Sequence, residues 1–251
     1  MTSLNIESAN QINSNVNSNW VPLEANSDVF NDWSHKLGLA ECEQFVDVFG
    51  LDDELLQMVP QPVKAVLLLF PLSKQYEQHR EAESQRIAQH GQSQLDDTLV
   101  FFPQKVGNAC GTMALLHAMA NSPVTVTPFS DLAKFFDKAA GQNNDQRAQS
   151  VVDASFLRSA HASSASTGQS SVPDANDDVD LHFVAFVHAP AQLTDGTRLV
   201  ELDGRKIAPV DHGSSSDLLK DSANVVKNQF MKLNPDSINF ALIALTTQEE
   251  Y

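Results

Sequence analysis

Between Pro62 and Pro71 the chain reads Val-Lys-Ala-Val-Leu-Leu-Leu-Phe, a nearly continuous apolar run over 63–70. Its length and valine content point to a strand rather than a helix. Apolar side chains at both parities mean that both of its faces are covered. A chain holding such a strand must build a sheet whose middle is interior, with helices on either side. That is the α/β class, or α+β if the strands run antiparallel.

The flanking segments supply the partners. Phe45 to Phe49 alternates and reads as a strand, as do 99–102, 181–189, 198–202 and the apolar run 238–245. Helices are expected over 26–37, with Asn26 or Ser27 as N-cap, and over 73–90, 108–121, 130–140, 145–157 and 216–233. Asn108 is the expected cap of the third of these, and Pro123 ends it. Residues 1–19 are rich in Asn and Ser and read as a disordered tail. Residues 158–179 are dominated by Ser, Ala, Asp, Asn and Gly, and read as a long loop of the functional kind. No second core follows that loop, so residues 20–251 are expected to form one domain.

Composition narrows the function. The formal net charge of −16 argues against nucleic acid, because phosphate contacts need a basic surface. It favours a basic partner, or serves solubility alone. The two cysteines suit a reducing compartment, expected to be the cytoplasm with the nucleus as a second location. No apolar run reaches membrane-spanning length and no signal core opens the chain. No heptad pattern suggests self-association, so a monomer is expected. Cys and His residues show no metal-ligand spacing, and no cofactor is implied.

Cys110 carries the chemistry. It lies in Gln-Lys-Val-Gly-Asn-Ala-Cys-Gly-Thr-Met, residues 104–113, where a strand gives way to a helix. A thiol in the first helical turn is acidified by the dipole and the free N–H groups. A small buried hydrophobe is the competing reading. Gly111 favours the nucleophile, since it leaves room for a substrate backbone. Gln104 offers an amide for a developing oxyanion, with the backbone N–H of Cys110 as second donor. His182 opens the strand 181–189, where a polar ring needs a partner. If that strand forms an antiparallel hairpin with 198–202, pairing His182 with Asp203 pairs His188 with Thr197. The turn signal Asp195-Gly196 then falls in the loop. This register sets Asp203 beside His182, able to fix its tautomer. Asp203 could instead simply nucleate the Asp-Gly turn. His188 lies roughly 20 Å further along the strand and is expected at the surface. His117, about 10 Å along the helix from Cys110, is expected to be a packing histidine.

Asn108-Ala109-Cys110-Gly111-Thr112 and Asp180-Leu181-His182-Phe183 occur together and in this order. With Trp20-Val21-Pro22-Leu23-Glu24-Ala25-Asn26, 59–63 and 67–71, they resemble the ubiquitin C-terminal hydrolases, which are papain-like cysteine peptidases. The resemblance extends from about Trp20 to Leu245. It implies a papain-like fold with a central, mainly antiparallel sheet flanked by helices and a knotted backbone. It implies Cys110 as nucleophile, His182 as general acid–base, Asp203 as the orienting carboxylate and Gln104 as the oxyanion side chain. Hydrolysis would follow the C-terminal glycine of ubiquitin or a close ubiquitin-like modifier. Residues 158–179 match the family's crossover loop, which implies small adducts or short peptide extensions as leaving groups. Leu23, Glu24, Asp28 and Asp47 match positions that contact ubiquitin. A non-catalytic ubiquitin-binding module and a preference for a ubiquitin-like modifier are the alternatives. The spacing from His182 to Asp203 is longer than that family's usual one, and the register above places the extra residues at the hairpin tip.

Overall fold

A computed structural model describes residues 19–92, 95–169, 180–192 and 196–248. Its frame is a sheet of six strands: β1 (Glu43–Val48), β2 (Val63–Pro71), β3 (Leu181–Pro190), β4 (Thr197–Leu202), β5 (Val210–Ser215) and β6 (Ala241–Thr247). They lie in the order β1-β6-β2-β3-β4-β5, and every neighbouring pair is antiparallel. The apolar run is therefore interior, with β6 on one side and β3 on the other. Its alternate residues feed two cores: Ala65 and Leu67 enter one, and Val66, Leu68 and Phe70 the other. Each face thus buries a separate set of β2 side chains, which is why the sequence shows no polar parity there.

Helices cover both faces. α1 (Ser27–Leu37), α2 (Asp53–Leu56), α3 (Lys74–His90), α4 (Cys110–Ala120), α5 (Asp131–Ala140), α6 (Asn144–Asp153), α7 (Ser155–Ala165) and α8 (Leu218–Val225) occur in this order. α1 and α4 to α7 enclose the core that holds Leu67. Tyr76 of α3 and the buried face of α8 enclose the core that holds Phe70. The side-chain caps of α1, α3 and α5 are Asn26, Ser73 and Ser130, and each accepts a backbone N–H of the first turn. Among the described residues no helix is long and apolar enough to cross a membrane.

Several expectations need correction. Residues 99–102 are not a strand. Side chains of α4 and of its C-cap residue bond their backbone instead: Asn121 brackets Val100 at 2.7 and 2.8 Å, and the Phe102 N–H donates to His117 Nε2 at 2.9 Å. The helix expected over 145–157 is two helices broken at Ala154, whose ψ of 92° leaves the helical region. The second of them, α7, runs to Ala165, so the loop expected from 158 is helical over its first part. Residues 170–179 of that loop and residues 1–18 of the expected tail lie outside the described residues. Ile238 is 93% exposed and the last strand begins only at Ala241. The segment after Ser216 is helical but continues from α8 through a π-helical stretch, Val226–Phe230. The polar edge strand β5 has no apolar alternation, and its sequence did not suggest a strand.

Candidate active site

The helix α4 starts without a side-chain cap. Its N-cap position is Ala109, and Asn108 instead turns the chain with φ of 57°. Asn is one of the few residues that adopt this left-handed conformation readily. The turn sets Cys110 in the first helical turn, partly exposed, against the start of β3. Gly111 is buried, and a Cβ there would stand 3.1 Å from both Cβ and Cδ1 of Leu23. It therefore permits close packing of the N-terminal segment on α4, rather than the substrate space expected of it.

The hairpin of β3 and β4 is shifted by two residues from the expected register: His188 faces Leu199 and Pro190 faces Thr197. A shift of two keeps every side chain on its own face. His182 and Asp203 both lie beyond the last paired residues, Ala185 and Leu202. There the imidazole Nε2–H donates to Asp203 Oδ1 at 2.7 Å. The backbone N–H of Arg205 donates to the same oxygen at 2.8 Å, and the Tyr76 hydroxyl donates to Oδ2 at 3.2 Å. With Nε2 committed to the carboxylate, Nδ1 is the ring nitrogen left for Cys110, whose thiol the ring holds down.

The charges follow from this geometry. Burial pushes the Cys110 thiol up, but the His182 ring, its charge, and the N–H groups of Phe183 and Gly111 hold it below its ordinary value. Burial pushes His182 down, yet the Asp203 charge and hydrogen bond and the thiol partner raise it to about 10. Burial pushes Asp203 up, while the His182 charge and hydrogen bond, Lys206 and the Arg205 N–H keep it well below the usual carboxylate range. Asp203 thus stays ionised and holds the His182 ring protonated, and the charged ring eases ionisation of the Cys110 thiol.

Gln104 packs against Gly204, the residue after Asp203. Its backbone N–H donates to Gly204 O at 2.8 Å. Its amide Nε2 donates to Val106 O at 2.9 Å, while Oε1 is buried without a partner among the described residues. A Cβ on Gly204 would come within 2.9 Å of Gln104 Cβ and 3.2 Å of both Gln104 N and Phe102 O. The glycine lets the Asp203 turn and the Gln104 segment touch.

Beneath Asp203 lies a buried charge cluster that no sequence motif announces. Lys206 Nζ donates at 2.6 Å to Glu83 Oε2 and makes an ion pair at 2.6 Å with Glu201 Oε1, and His212 bonds Glu201 Oε2 at 2.9 Å. The Lys206 N–H also bonds Asp203 O at 2.9 Å, so the cluster fixes the turn 203–206. Two other histidines brace the site. His117 is buried and stacks flat on Phe101 at 5.4 Å, in the packing role expected. His161 of α7 accepts the Thr112 hydroxyl at 2.8 Å, donates to Val21 O and packs on Trp20, tying the N-terminal segment to α4. His188 is half-buried and bonded to Ser215 Oγ at 2.7 Å, rather than free at the surface.

The residues expected to contact a partner separate into two kinds. Asp28 and Asp47 are exposed, and Ser27 links them by donating to Asp47 Oδ2 at 2.9 Å. Leu23 is 6% exposed and turned onto Gly111, so it offers no surface in this structure. Glu24 is partly buried, accepts the Asn26 amide at 3.1 Å and lies close against Gly168 at the start of the long loop.

A family model described as ubiquitin carboxyl-terminal hydrolase, family 1, matches residues 20–232. A probable ubiquitin carboxyl-terminal hydrolase of Dictyostelium discoideum is 40% identical over 232 residues, covering 90% of this chain and 88% of the relative. Ubiquitin carboxyl-terminal hydrolase 3 of Arabidopsis thaliana is 41% identical, over 90% of this chain and 94% of its own. Ubiquitin carboxyl-terminal hydrolase isozyme L1 of Homo sapiens is 36% identical, over 89% and 96%. Among solved structures, the Trichinella spiralis UCH37 catalytic domain bound to ubiquitin vinyl methyl ester superposes with a TM-score of 0.69. It is 20% identical and covers 93% of this chain and 98% of that one, which shows the same papain-like α/β fold.

Proposed function

Because this chain belongs to the ubiquitin carboxyl-terminal hydrolase family, a family of cysteine-type deubiquitinating enzymes, we propose that Cys110, His182, Asp203 and Gln104 perform its hydrolysis. Their substrates would be small adducts and short peptide extensions at the C-terminal glycine of ubiquitin. The observation that carries this reading is the His182–Asp203 bond at 2.7 Å, made by the same ring that lowers the Cys110 thiol.

The thiolate of Cys110 attacks the glycine carbonyl and forms a C–S bond. Its oxygen becomes an oxyanion, for which an amide N–H of Gln104 and the backbone N–H of Cys110 are the donors. The tetrahedral species collapses as the imidazolium of His182 gives its proton to the leaving amine. Neutral His182 then takes a proton from water. The hydroxide attacks the thioester carbonyl, and the C–S bond breaks to return the thiolate and free ubiquitin. Throughout, Asp203 holds Nε2–H, so Nδ1 is the nitrogen that exchanges protons with the sulfur and the leaving group.

The ubiquitin tail and the face around it are basic, and the net charge of −16 with exposed Asp28 and Asp47 complements them. The contact of Gly168 with Glu24 brings the long loop onto the segment that packs on α4. A loop crossing there restricts what can thread past Cys110, which favours small leaving groups.

Release of a fluorophore from the ubiquitin C-terminus tests the reading, run beside labelling by ubiquitin vinyl methyl ester. Wild type should turn over and label, and Cys110→Ala should do neither. Turnover surviving in Cys110→Ala would sink the assignment.

A further inference from the structure

Asp203 is fully buried, and its two oxygens are held unequally. Oδ1 receives both His182 Nε2–H and the Arg205 N–H. Oδ2 receives the Tyr76 hydroxyl, at 3.2 Å, from a residue 127 positions away in sequence. A buried carboxylate oxygen without a donor is unfavourable, and a carboxylate held through one oxygen can rotate about its Cβ–Cγ bond. The geometry points to Tyr76 as a positioning residue for the proposed hydrolysis: its hydroxyl fixes the carboxylate of Asp203, which in turn aligns His182 with Cys110.

The surroundings suit this role. Tyr76 sits in the first turn of α3, with its N–H on Ser73 Oγ at 3.1 Å, and Ser73 donates onward to Leu233 O at 3.0 Å. Its ring packs edge-on to Phe70 at 4.6 Å and stacks on Phe230 at 5.9 Å. Phe70 also meets the His182 ring edge-on at 5.9 Å, so one phenylalanine braces both ends of the Tyr76–Asp203–His182 chain. Burial and the charges of Asp203 and Glu201 push the phenol well above its ordinary value, so it stays a donor. Lys206, Glu83, Arg80 and His117 are the other charged or titratable groups around this pair. None of them is bonded to Oδ2 among the described residues. Tyr76 is itself fully buried, so it acts through the carboxylate and not on bound substrate.

The inference rests on Asp203 as the orienting carboxylate, and a double-mutant cycle separates the two ideas. Tyr76→Phe removes one oxygen and keeps the ring. Expected is a fall in kcat of about tenfold, with KM on a ubiquitin–fluorophore substrate unchanged. In an Asp203→Asn background the same change should have no further effect on kcat. Turnover is normalised to the fraction of enzyme that ubiquitin vinyl methyl ester titrates at completion, so that only folded molecules count. Wild-type kcat in Tyr76→Phe overturns the inference. So does an equal loss in both backgrounds, which would mean a general packing role. Full turnover in Asp203→Asn alone would instead remove the reading of Asp203 on which it stands.

Discussion

Gly204 follows the aspartate that bonds His182, and its missing side chain is where two parts of the site meet. Adding one methyl group would place carbon 2.9 Å from Gln104 Cβ and 3.2 Å from two backbone atoms of the 102–104 segment. The backbone atoms cannot rotate away, so the segment must move. Overpacking of this kind costs about 1–3 kcal/mol. Gly204→Ala should therefore lower the melting temperature by several degrees. With Gln104 in its proposed role, it should also lower kcat by roughly 100-fold, the lower end of what loss of an oxyanion donor costs, with a smaller change in KM. A variant with wild-type kcat would show that the Gln104 segment need not stay where it is. The sequence makes Cys110, His182 and Asp203 legible because their residue types are constrained by chemistry and because strand parity survives an error of two in register. Tyr76 and Lys206 are not legible. The Tyr76–Asp203 bond and the Glu83–Lys206 pair are created by packing α3 against the end of the sheet, and no local pattern records them.

At the scale of elements, α7 changes how the long segment before β3 should be read. Its residues Leu157, Ala160 and His161 are buried, and Ser164 donates to Asp32 of α1 at 2.8 Å. The stretch 158–165 is thus part of the frame, and only the chain after it can serve as a variable crossing. A flexible insertion of about ten Gly and Ser residues immediately after Gln169 should speed cleavage of larger adducts. Turnover of a small fluorophore should stay within about twofold of wild type. The same insertion after Ala160 should destabilise the protein, because it breaks the helix that carries His161. Equal adduct preference in the 169 variant and wild type would contradict gating by this loop. Three helices with a side-chain N-cap are readable to within a residue, those capped by Asn26, Ser73 and Ser130. The break at Ala154 and the π-helical stretch after Val225 are not, since neither carries a Gly or Pro to mark it. Serine, alanine and asparagine suit a loop and an amphipathic helix alike when tertiary contacts decide.

For the whole molecule, buried histidines of opposite kinds set how stability depends on pH. Burial holds His117 and His161 neutral and pushes both down to about 4. Between about 6.5 and 4 the unfolded chain binds protons at these positions and the folded one does not. Their contribution is therefore fully present above about 6.5, is lost as pH falls through that window, and is flat below it. Each group accounts for roughly 3 kcal/mol over the window. His182 behaves oppositely. Raised to about 10 by Asp203 and the thiol against the pull of burial, it contributes stability that is complete below about 6.5 and is lost as pH rises toward 10. The stabilising range of these three groups thus peaks near pH 6.5. Urea unfolding at a series of pH values, compared between wild type and single glutamine replacements, isolates each term. The advantage of wild type over His161→Gln should shrink steadily as pH falls from 6.5 to 4. The advantage over His182→Gln should instead shrink as pH rises from 6.5 to 10. Parallel curves for His161→Gln and wild type would mean that the ring bonded to Thr112 and Val21 is not held neutral by the fold.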